Sequence, residues 1–424
     1  MTDVLFNVAP FKIEPMGIMC LSSVLKANGH SVALTTTPNL ERNIKKHQPK
    51  FVCYSIHTGQ HVKVIELNNT LKEKYSFTSI FGGAHPTYFP EMAEKKGVDH
   101  IVRGDGEITL PKLISGELKY KVIMGEYVKD LDSMPHPDRE IVYKEFPEQA
   151  RNPIRHFMTS RGCPFDCTYC FNYSYRNLYR TAKVRYRSPD NIIDEIRNVV
   201  NKYPTKFIYF LDDTFNTKKS LDLLNLYKDE IEFPFHCHIR IDILTESFIK
   251  ALSDSGCRSV SFGVESGSEE IRRTVLNRNV SNKQIIKGCK KLREHGIKFR
   301  SQNMIGIPGT TYKDDIETLK LNMDIKPDMA WVSIFQPYPR TVLGDQFNIS
   351  PDSIPETFFE HSVLNLPYAA KLKALQRVFG YIVRNQDDYR YIDEIMKLPD
   401  ENLMNLRDYT REIADEELFG FKVK

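Results

Sequence analysis

The sequence predicts an α/β protein with a doubly wound domain, a linker, a partial (β/α)6 barrel and a small helical C-terminal region. Two series of alternating strand and helix patterns predict two parallel sheets, because strands separated by helices pair in parallel and are covered on both faces. A charged stretch with four prolines, from 130 to 153, breaks both patterns and predicts the linker. The expected segments are 1–130, 131–155 (linker), 156–349 and 350–424.

Composition limits the function classes. The chain has 424 residues, 27 % of them charged, and a formal net charge of +4. That charge is too small to favour nucleic acid or an anionic membrane as the main partner. No apolar run reaches the roughly 18 residues that a membrane span needs, and the N-terminal sequence has no basic segment of a signal peptide. We therefore expect a cytoplasmic protein without a transmembrane segment.

The first series predicts a Rossmann-like domain. Strands are expected at 4–10, 30–37, 50–58, 78–86 and 98–106, and helices at 17–29, 39–48 and 61–75. Gly29 is the expected end of the first helix. Ligands of doubly wound sheets bind at the carboxyl ends of the strands, so we expect a site at those ends.

The second series predicts six βα units. Strands are expected at 156–162, 206–213, 235–242, 259–266, 298–308 and 329–337, with helices between them. Ser188 and Ser281 are predicted N-caps, and Gly256 and Gly296 predicted helix ends. Six units are too few for a closed eight-stranded barrel, so the barrel is expected to be open, with its chemistry at the carboxyl ends of the strands.

Three of the eight cysteines form a C-x3-C-x2-C cluster directly after the first barrel strand: Cys163, Cys167 and Cys170. Thiolates are soft ligands that suit zinc or iron–sulfur clusters. A structural zinc takes four protein ligands, but the next cysteine is the distant Cys237, and His156 lies inside a predicted strand. A four-iron cluster would keep one iron open for another ligand. Zinc and a plain electron-transfer cluster remain alternatives.

The cysteine spacing and its place after the first barrel strand resemble the radical S-adenosylmethionine (SAM) superfamily. The resemblance implies that the three cysteines bind a [4Fe-4S] cluster and that SAM chelates the open iron. Reductive cleavage of SAM then yields a 5′-deoxyadenosyl radical that abstracts hydrogen from the substrate. It also implies an external electron donor of the flavodoxin or ferredoxin type, and it places the backbone of Tyr169 near the adenine.

The same resemblance implies SAM contacts at the other strand ends. The implied residues are Asp212 and Asp213 for the amino group, Arg240 for the carboxylate, Glu265 and Ser266 as polar contacts, and Gly306 and Pro308 along the adenine. Each has a structural alternative. The two aspartates could cap a helix, the arginine could form a surface ion pair, the glutamate could simply end a strand, and the glycine stretch could serve only as a turn.

Motifs of the first domain resemble the cobalamin-binding-domain branch of that superfamily. They are Pro-x-Gly at 15–17, Gly-Gly-x-His-Pro-Thr at 82–87 and Gly-Asp-Gly-Glu at 104–107, where the branch typically has Glu at the second position of the last motif. The implied cobalamin-binding residues are Pro15, Gly17, Ser55, Thr58, Gly82, Gly83, His85, Gly104 and Glu107. Glycines let the backbone approach a large flat cofactor. A D-x-H-x-x-G motif is absent, with His57 the nearest match, and the resemblance implies that cobalamin is bound without a protein histidine ligand. His85 is expected to have a loop or packing role rather than to bind cobalt. A domain that keeps the fold without the cofactor is the alternative.

Together the two resemblances imply a cobalamin-dependent radical SAM methyltransferase that acts on an unactivated carbon or a phosphorus centre. One alternative is related chemistry without methyl transfer, such as cyclisation, ring contraction or oxidation. Another is an iron–sulfur protein that transfers electrons or serves as a scaffold. The helical tail after Ser350 is expected to cover the barrel mouth. The Tyr- and Arg-rich segment 172–190 is expected either to contact an anionic substrate or to form a solvated loop.

Overall fold

The computed structural model describes residues 2–181, 184–215, 218–357, 360–366 and 368–422. The strands are β1 Val4–Val8, β2 Val32–Thr36, β3 Phe51–Ser55, β4 Thr78–Gly82, β5 His100–Arg103, β6 Val122–Met124, β7 Ile154–Phe157, β8 Ser160–Arg161, β9 Arg185–Tyr186, β10 Phe207–Phe210, β11 Phe235–His238, β12 Cys257–Glu265, β13 Lys298–Ile305 and β14 Met329–Ile334.

The α-helices alternate with these strands and then form the C-terminal region. They are α1 Met16–Ala27, α2 Leu40–His47, α3 His61–Lys72, α4 Ala84–Tyr88, α5 Thr109–Ile114, α6 Glu140–Tyr143, α7 Pro147–Arg151, α8 Phe171–Tyr179, α9 Pro189–Val200, α10 Lys218–Glu230, α11 Glu246–Asp254, α12 Glu269–Thr274, α13 Asn282–Glu294, α14 Tyr312–Ile325, α15 Ala369–Arg384, α16 Ile392–Ile395 and α17 Asp400–Phe419.

The first domain contains a parallel six-stranded sheet in the order β2-β1-β3-β4-β5-β6. Buried apolar clusters lie on both faces of the sheet, one with Phe6 and Leu25 and the other with Tyr54 and Phe81. The strand order reverses between β1 and β3, where doubly wound sheets form their ligand crevice. The predicted doubly wound fold is confirmed.

The second domain contains a parallel sheet in the order β14-β13-β12-β11-β10-β7, in which each strand pairs with its neighbour along the series. Its outer face packs on the helices through a cluster that includes Ile208, Phe262 and Phe299. Ser188 and Ser281 cap α9 and α13 through their hydroxyls. The predicted partial barrel is confirmed, and its open form follows from having six strands rather than eight.

The connection between the domains is partly helical and holds a buried ion network. Arg139 donates one hydrogen bond to Glu14 of the first domain and another to Glu195 of α9, both at 2.7 Å. Burial acts to raise the pKa of Glu14, but Arg139 and His156 more than offset it and hold that pKa at about 2. The network therefore ties the two domains together through Arg139, which contacts both Glu14 and Glu195.

The C-terminal helix α17 closes the floor of the barrel. The ring of Phe419 lies 5.1 Å from that of Phe207, at the amino end of β10. Ser259, near the start of β12, donates a hydrogen bond to the carbonyl of Leu418 at 3.1 Å. The expectation that the tail covers the barrel mouth is wrong for this helix, because its apolar end fills the opposite opening. None of the helices in the described part of the chain is long and apolar enough to span a membrane.

Candidate functional site

A cavity of about 260 Å³ lies at the carboxyl ends of the first sheet. Of the nine residues expected to bind cobalamin, six line it: Gly17, Ser55, Gly82, Gly83, Gly104 and Glu107. Met158 and Arg161 of the second domain also line it. The cavity therefore lies at the place where the topology of the sheet predicts a ligand, and both domains contribute to it.

Two of these glycines are required by the backbone. Gly83 has a φ of +94°, and a Cβ there would lie 2.9 Å from the backbone nitrogen and oxygen of Ile56. Gly104 has a φ of +71°, and a Cβ there would lie 2.1 Å from the hydroxyl of Tyr179. Larger residues at either position would disturb the cavity wall, because L-residues disfavour this conformation and the space is filled.

The other three implied cobalamin residues do not line the cavity. Pro15 precedes α1 as its N-cap residue. His85 is buried and stacks on His61, with ring centroids 3.7 Å apart, and its Nδ1 lies 3.1 Å from the hydroxyl of Thr58. Burial lowers the pKa of His85 to about 3, so the ring is neutral. His85 therefore packs within the first domain.

The cysteine loop follows β8 and leads into α8. Cys170 is the N-cap residue of α8, and its sulfur accepts the backbone N–H of Asn172 at 3.5 Å. The Cys163 sulfur lies 3.3 Å from the hydroxyl of Thr214, and Arg240 donates to the Cys167 sulfur at 3.6 Å. Each of the three thiols therefore has a polar neighbour, as the charged sulfurs of a bound cluster require.

Among the described residues, no three His, Cys, Asp or Glu side chains form a group that could hold one metal ion. A [4Fe-4S] cluster differs from a zinc ion in this respect, because each cysteine binds a different iron of the cluster. Burial raises the pKa of Cys163 and raises that of Cys170 to about 11. Positively charged iron would favour the thiolate form instead. The donor set fits a cluster held by three thiolates.

The two implied aspartates have different environments. Asp212 is buried and accepts hydrogen bonds from the hydroxyl of Thr159 and from the hydroxyl of Ser160. Burial raises its pKa to about 6. This carboxylate is engaged in fixing the end of β7 and the start of β8, whereas the side chain of the neighbouring Asp213 is exposed.

Glu265 ends β12 in a conformation that residues with side chains rarely adopt, with a φ of +68°. Tyr169 of the cysteine loop donates a hydrogen bond to its carboxylate at 2.9 Å. A Cβ on Gly263 would lie 2.0 Å from the same carboxylate. Burial raises the pKa of Glu265, and Arg278 opposes that rise. Such a strained carboxylate at a strand end, with a raised pKa, is typical of a functional site.

Arg278 belongs to this cluster and was not predicted from the sequence. It is 5 % exposed and donates to the carbonyl of Gly263. Burial acts to lower the pKa of Arg278, but the nearby Tyr169 and Glu265 more than offset this and raise it above its usual value. The sequence carries only a weak signal for Arg278, namely its place directly after Asn277. Asn277 is a turn residue with a φ of +50°.

Arg240 follows β11 and holds a bidentate ion pair with Asp242, at 3.0 Å from Nε and 2.7 Å from Nη2. Its guanidinium also lies 3.7 Å from the ring centroid of Phe165 in the cysteine loop. Ser266 is buried, and its hydroxyl accepts the backbone N–H of Ser268 at 3.2 Å. The structure thus places Arg240 against the cysteine loop, while Ser266 stabilises the turn before α12.

The predicted adenine stretch forms the turn between β13 and α14. Gly306 has a φ of +68°, and its N–H donates to Asp315 at 2.9 Å. Pro308 is half-buried in the same turn. Asp315 was missed by the sequence analysis. Burial raises its pKa to about 7, and its second oxygen is buried without a hydrogen-bond partner among the described residues.

The Gly-Asp-Gly-Glu loop of the first domain connects the cavity to the cysteine loop. Glu107 lines the cavity and accepts an ion pair at 2.6 Å from Arg161, which precedes Cys163 by two residues. Asp105 accepts hydrogen bonds from Tyr175 of α8 and from Arg185 of β9. One loop therefore contacts the segments on both sides of the three cysteines.

Comparisons with known proteins agree with this arrangement. Residues 2–114 match the family model of the B12-binding domain, and residues 157–321 match that of the radical SAM superfamily. An uncharacterised methyltransferase of Pyrococcus horikoshii is 26 % identical over 362 residues, which are 78 % of this chain and 78 % of that protein. An anaerobic magnesium-protoporphyrin IX monomethyl ester cyclase of Rubrivivax gelatinosus is 26 % identical over 315 residues, 66 % of this chain and 55 % of that protein.

A solved structure shares the fold over almost the whole chain. It is that of the radical SAM methyltransferase TsrM from Kitasatospora setae, with cobalamin and a [4Fe-4S] cluster bound. The TM-score is 0.66 at 14 % identity, and the match covers 97 % of this chain and 100 % of that chain. The family and fold predicted from the sequence are confirmed. The chain contains a domain of the radical SAM superfamily and, ahead of it, a B12-binding domain.

Proposed function

We propose that this enzyme is a cobalamin-dependent radical SAM methyltransferase that acts on an unactivated carbon or a phosphorus centre of a small molecule. The observation that carries the proposal is the ion pair between Glu107 and Arg161. One partner lines the cavity of the B12-binding domain, and the other directly precedes the cysteine loop. A cofactor in the cavity and a cluster on the loop would therefore share one reaction space.

The chain's own residues have distinct tasks in this proposal. Cys163, Cys167 and Cys170 hold the cluster. Asp213 and Glu265 provide carboxylates for polar groups of SAM. Arg240 already has a carboxylate partner in Asp242, so an ionic contact with SAM requires that pair to open or to share the guanidinium.

The cavity of the first domain has a volume of about 260 Å³. This volume suits the nucleotide tail of cobalamin rather than the whole corrin macrocycle. Part of the cavity wall consists of glycines, which let the backbone approach this tail: Gly82, Gly83 and Gly104. When bound, SAM, the cluster and cobalamin supply the radical and methyl-transfer chemistry. The protein contributes placement and exclusion of water.

Methyl transfer is favoured by two of the relatives. The Pyrococcus horikoshii protein and TsrM are both named methyltransferases, and the TsrM structure contains cobalamin and a [4Fe-4S] cluster. The second candidate is radical SAM chemistry without methyl transfer, such as cyclisation. It is supported by the similarity of 66 % of this chain to the Rubrivivax gelatinosus cyclase.

The test is product analysis with anoxically reconstituted protein, SAM and dithionite. The proposal predicts both S-adenosylhomocysteine and 5′-deoxyadenosine when substrate is present. Formation of 5′-deoxyadenosine without S-adenosylhomocysteine would support the second candidate. No cleavage of SAM at all would leave only an electron-transfer or scaffold role. A flavodoxin or ferredoxin is the proposed physiological electron donor, and the cytoplasm is the proposed location.

A further inference from the structure

A second cleft of about 480 Å³ opens between the two domains and is separate from the cobalamin cavity. Tyr88 and Arg103 of the first domain form one wall, and Tyr173 and Asn177 of α8 form another. Arg340, in the loop after β14, completes the rim. None of these residues lines the cavity in the first domain. The cleft is therefore distinct from the proposed cobalamin site.

Arg103 is a cation without a carboxylate partner. Its Nε donates to the carbonyl of Thr87 at 3.0 Å, and in the described part of the chain no carboxylate lies within ion-pair distance of it. Burial lowers the pKa of Arg103; the charge of Glu91 opposes this change, and that of Arg340 adds to it. A partly buried guanidinium that faces a second cation is stabilised when an anion binds beside it.

Arg340 is held at the rim by its backbone. It has a φ of +71°, its N–H donates to the carboxylate of Asp345 at 2.6 Å, and its carbonyl accepts the hydroxyl of Ser174. Its guanidinium lies 3.2 Å from Glu91, but both side chains are more than half exposed. Exposed pairs of this kind contribute little stability, so another anion can replace Glu91.

The cleft reaches the residue next to the cysteine loop. The ring of Tyr88 stacks on that of Phe171, with centroids 4.6 Å apart, and its hydroxyl donates to the Phe171 carbonyl at 3.2 Å. Phe171 directly follows Cys170. A molecule anchored in the cleft would therefore lie beside the segment that holds the proposed cluster.

We propose that this cleft binds the anionic group, a carboxylate or a phosphate, of the small-molecule substrate, with Arg103 and Arg340 as its ligands. The assignment of this anion to the substrate rests on the proposed function. Guanidinium groups suit this role because they bind planar and tetrahedral oxyanions through paired hydrogen bonds. Among the described residues, Asp345 is the one carboxylate that lines the cleft, and it is engaged with the backbone of Arg340. Tyr173 and Asn177 provide neutral polar groups beside the cations.

The test is calorimetric titration of the anoxically reconstituted enzyme with inorganic phosphate and, in parallel, with succinate. The anion that binds more tightly identifies whether the cleft takes a phosphate or a carboxylate. We expect Arg103→Gln and Arg340→Gln each to weaken that binding about tenfold, the usual effect of losing a charged hydrogen bond. Arg103→Lys should be intermediate because it keeps the charge but loses the paired geometry. Arg197→Gln, which removes an exposed arginine of α9 paired with Glu230, should have no effect.

Absence of binding by the wild type, or equal binding by the wild type and Arg103→Gln, would overturn the proposal. It would also be overturned if both glutamine variants bound the anions normally but slowed reduction of the cluster by an acidic flavodoxin, since the cleft would then dock the electron donor. The titrations need neither SAM nor turnover. Their failure is therefore distinguishable from a failure of the proposed methyl transfer.

Discussion

At the scale of single residues, the glycines of the first domain serve two purposes. Gly83 satisfies a backbone requirement, with a positive φ and no room for a Cβ. Gly17 has a helical position in α1 and no heavy atom within 4 Å of a built Cβ, although it lines the cavity. The first glycine is needed by the fold, whereas the second leaves space that a ligand can use.

This difference gives a paired prediction. Gly83→Ala should lower the free energy of unfolding by about 1–3 kcal/mol, the usual cost of a strained backbone. Gly17→Ala should raise it by up to about 1 kcal/mol, because alanine favours helix. Both should weaken cobalamin binding. Urea denaturation measures the stability of each variant, and a cobalamin titration measures its binding. Equal stabilities of the two variants would contradict the assignment of Gly83 to the fold and of Gly17 to ligand space.

Asp315 gives a prediction about pH. Its pKa is raised to about 7 by burial, so the folded protein binds this proton more tightly than the unfolded chain does. Its contribution to stability is therefore present below about pH 4 and is lost as the pH rises towards 7, by an amount on the order of 2–4 kcal/mol. Relative to the wild type, Asp315→Asn should become more stable as the pH rises over this range. Urea denaturation at several pH values tests this, and a difference independent of pH would contradict it.

The sequence was informative about residues whose partners are near in the chain. The cysteine spacing and the glycine motifs are local, because a chelating loop and a strand-end turn use consecutive residues. Arg278, Arg161 and Asp315 were missed since their importance comes from contacts between distant segments. Asp212 was assigned to SAM from its position at a strand end, and its buried hydrogen bonds to Thr159 and Ser160 could not be read from the sequence.

At the scale of elements, the strand and helix periods predicted both sheets, since parallel strands that are buried on both faces leave continuous apolar runs. The segment 131–155 was read as a linker, yet α6 and α7 lie in it and pack on the first domain. Their few residues show no clear helical period. The position of α17 was also unpredictable, because a helix with a charged surface does not reveal which end of a barrel its apolar tip will fill.

The ion network between the domains gives a prediction at this scale. Arg139→Met should lower the free energy of unfolding by about 3–5 kcal/mol, because Glu14 and Glu195 would keep buried charges without this partner. The matched control is Arg197→Met in α9, whose ion pair with Glu230 is exposed, with an expected loss below about 1 kcal/mol. Urea denaturation of both variants measures the difference. Similar losses would show that the buried network does not tie the domains together.

At the scale of the whole molecule, three contacts join the domains around one space. Arg139 links the first domain to α9, Glu107 links the cavity to the cysteine loop, and His61 of α3 lies 2.8 Å from Asp352 of the tail. Each contact uses charged or polar groups from segments far apart in the chain. These contacts fix the first domain relative to the cysteine loop, as the proposed function requires.

The most direct test of this account counts the bound metal and cofactor on anoxically purified and reconstituted protein. We predict about four iron atoms and about one cobalamin per chain in the wild type. Replacement of Cys163, Cys167 and Cys170 by alanine should remove the iron and leave the cobalamin, because the cavity belongs mainly to the first domain. Zinc in place of iron, or a wild-type chain that binds iron but never cobalamin, would contradict the account.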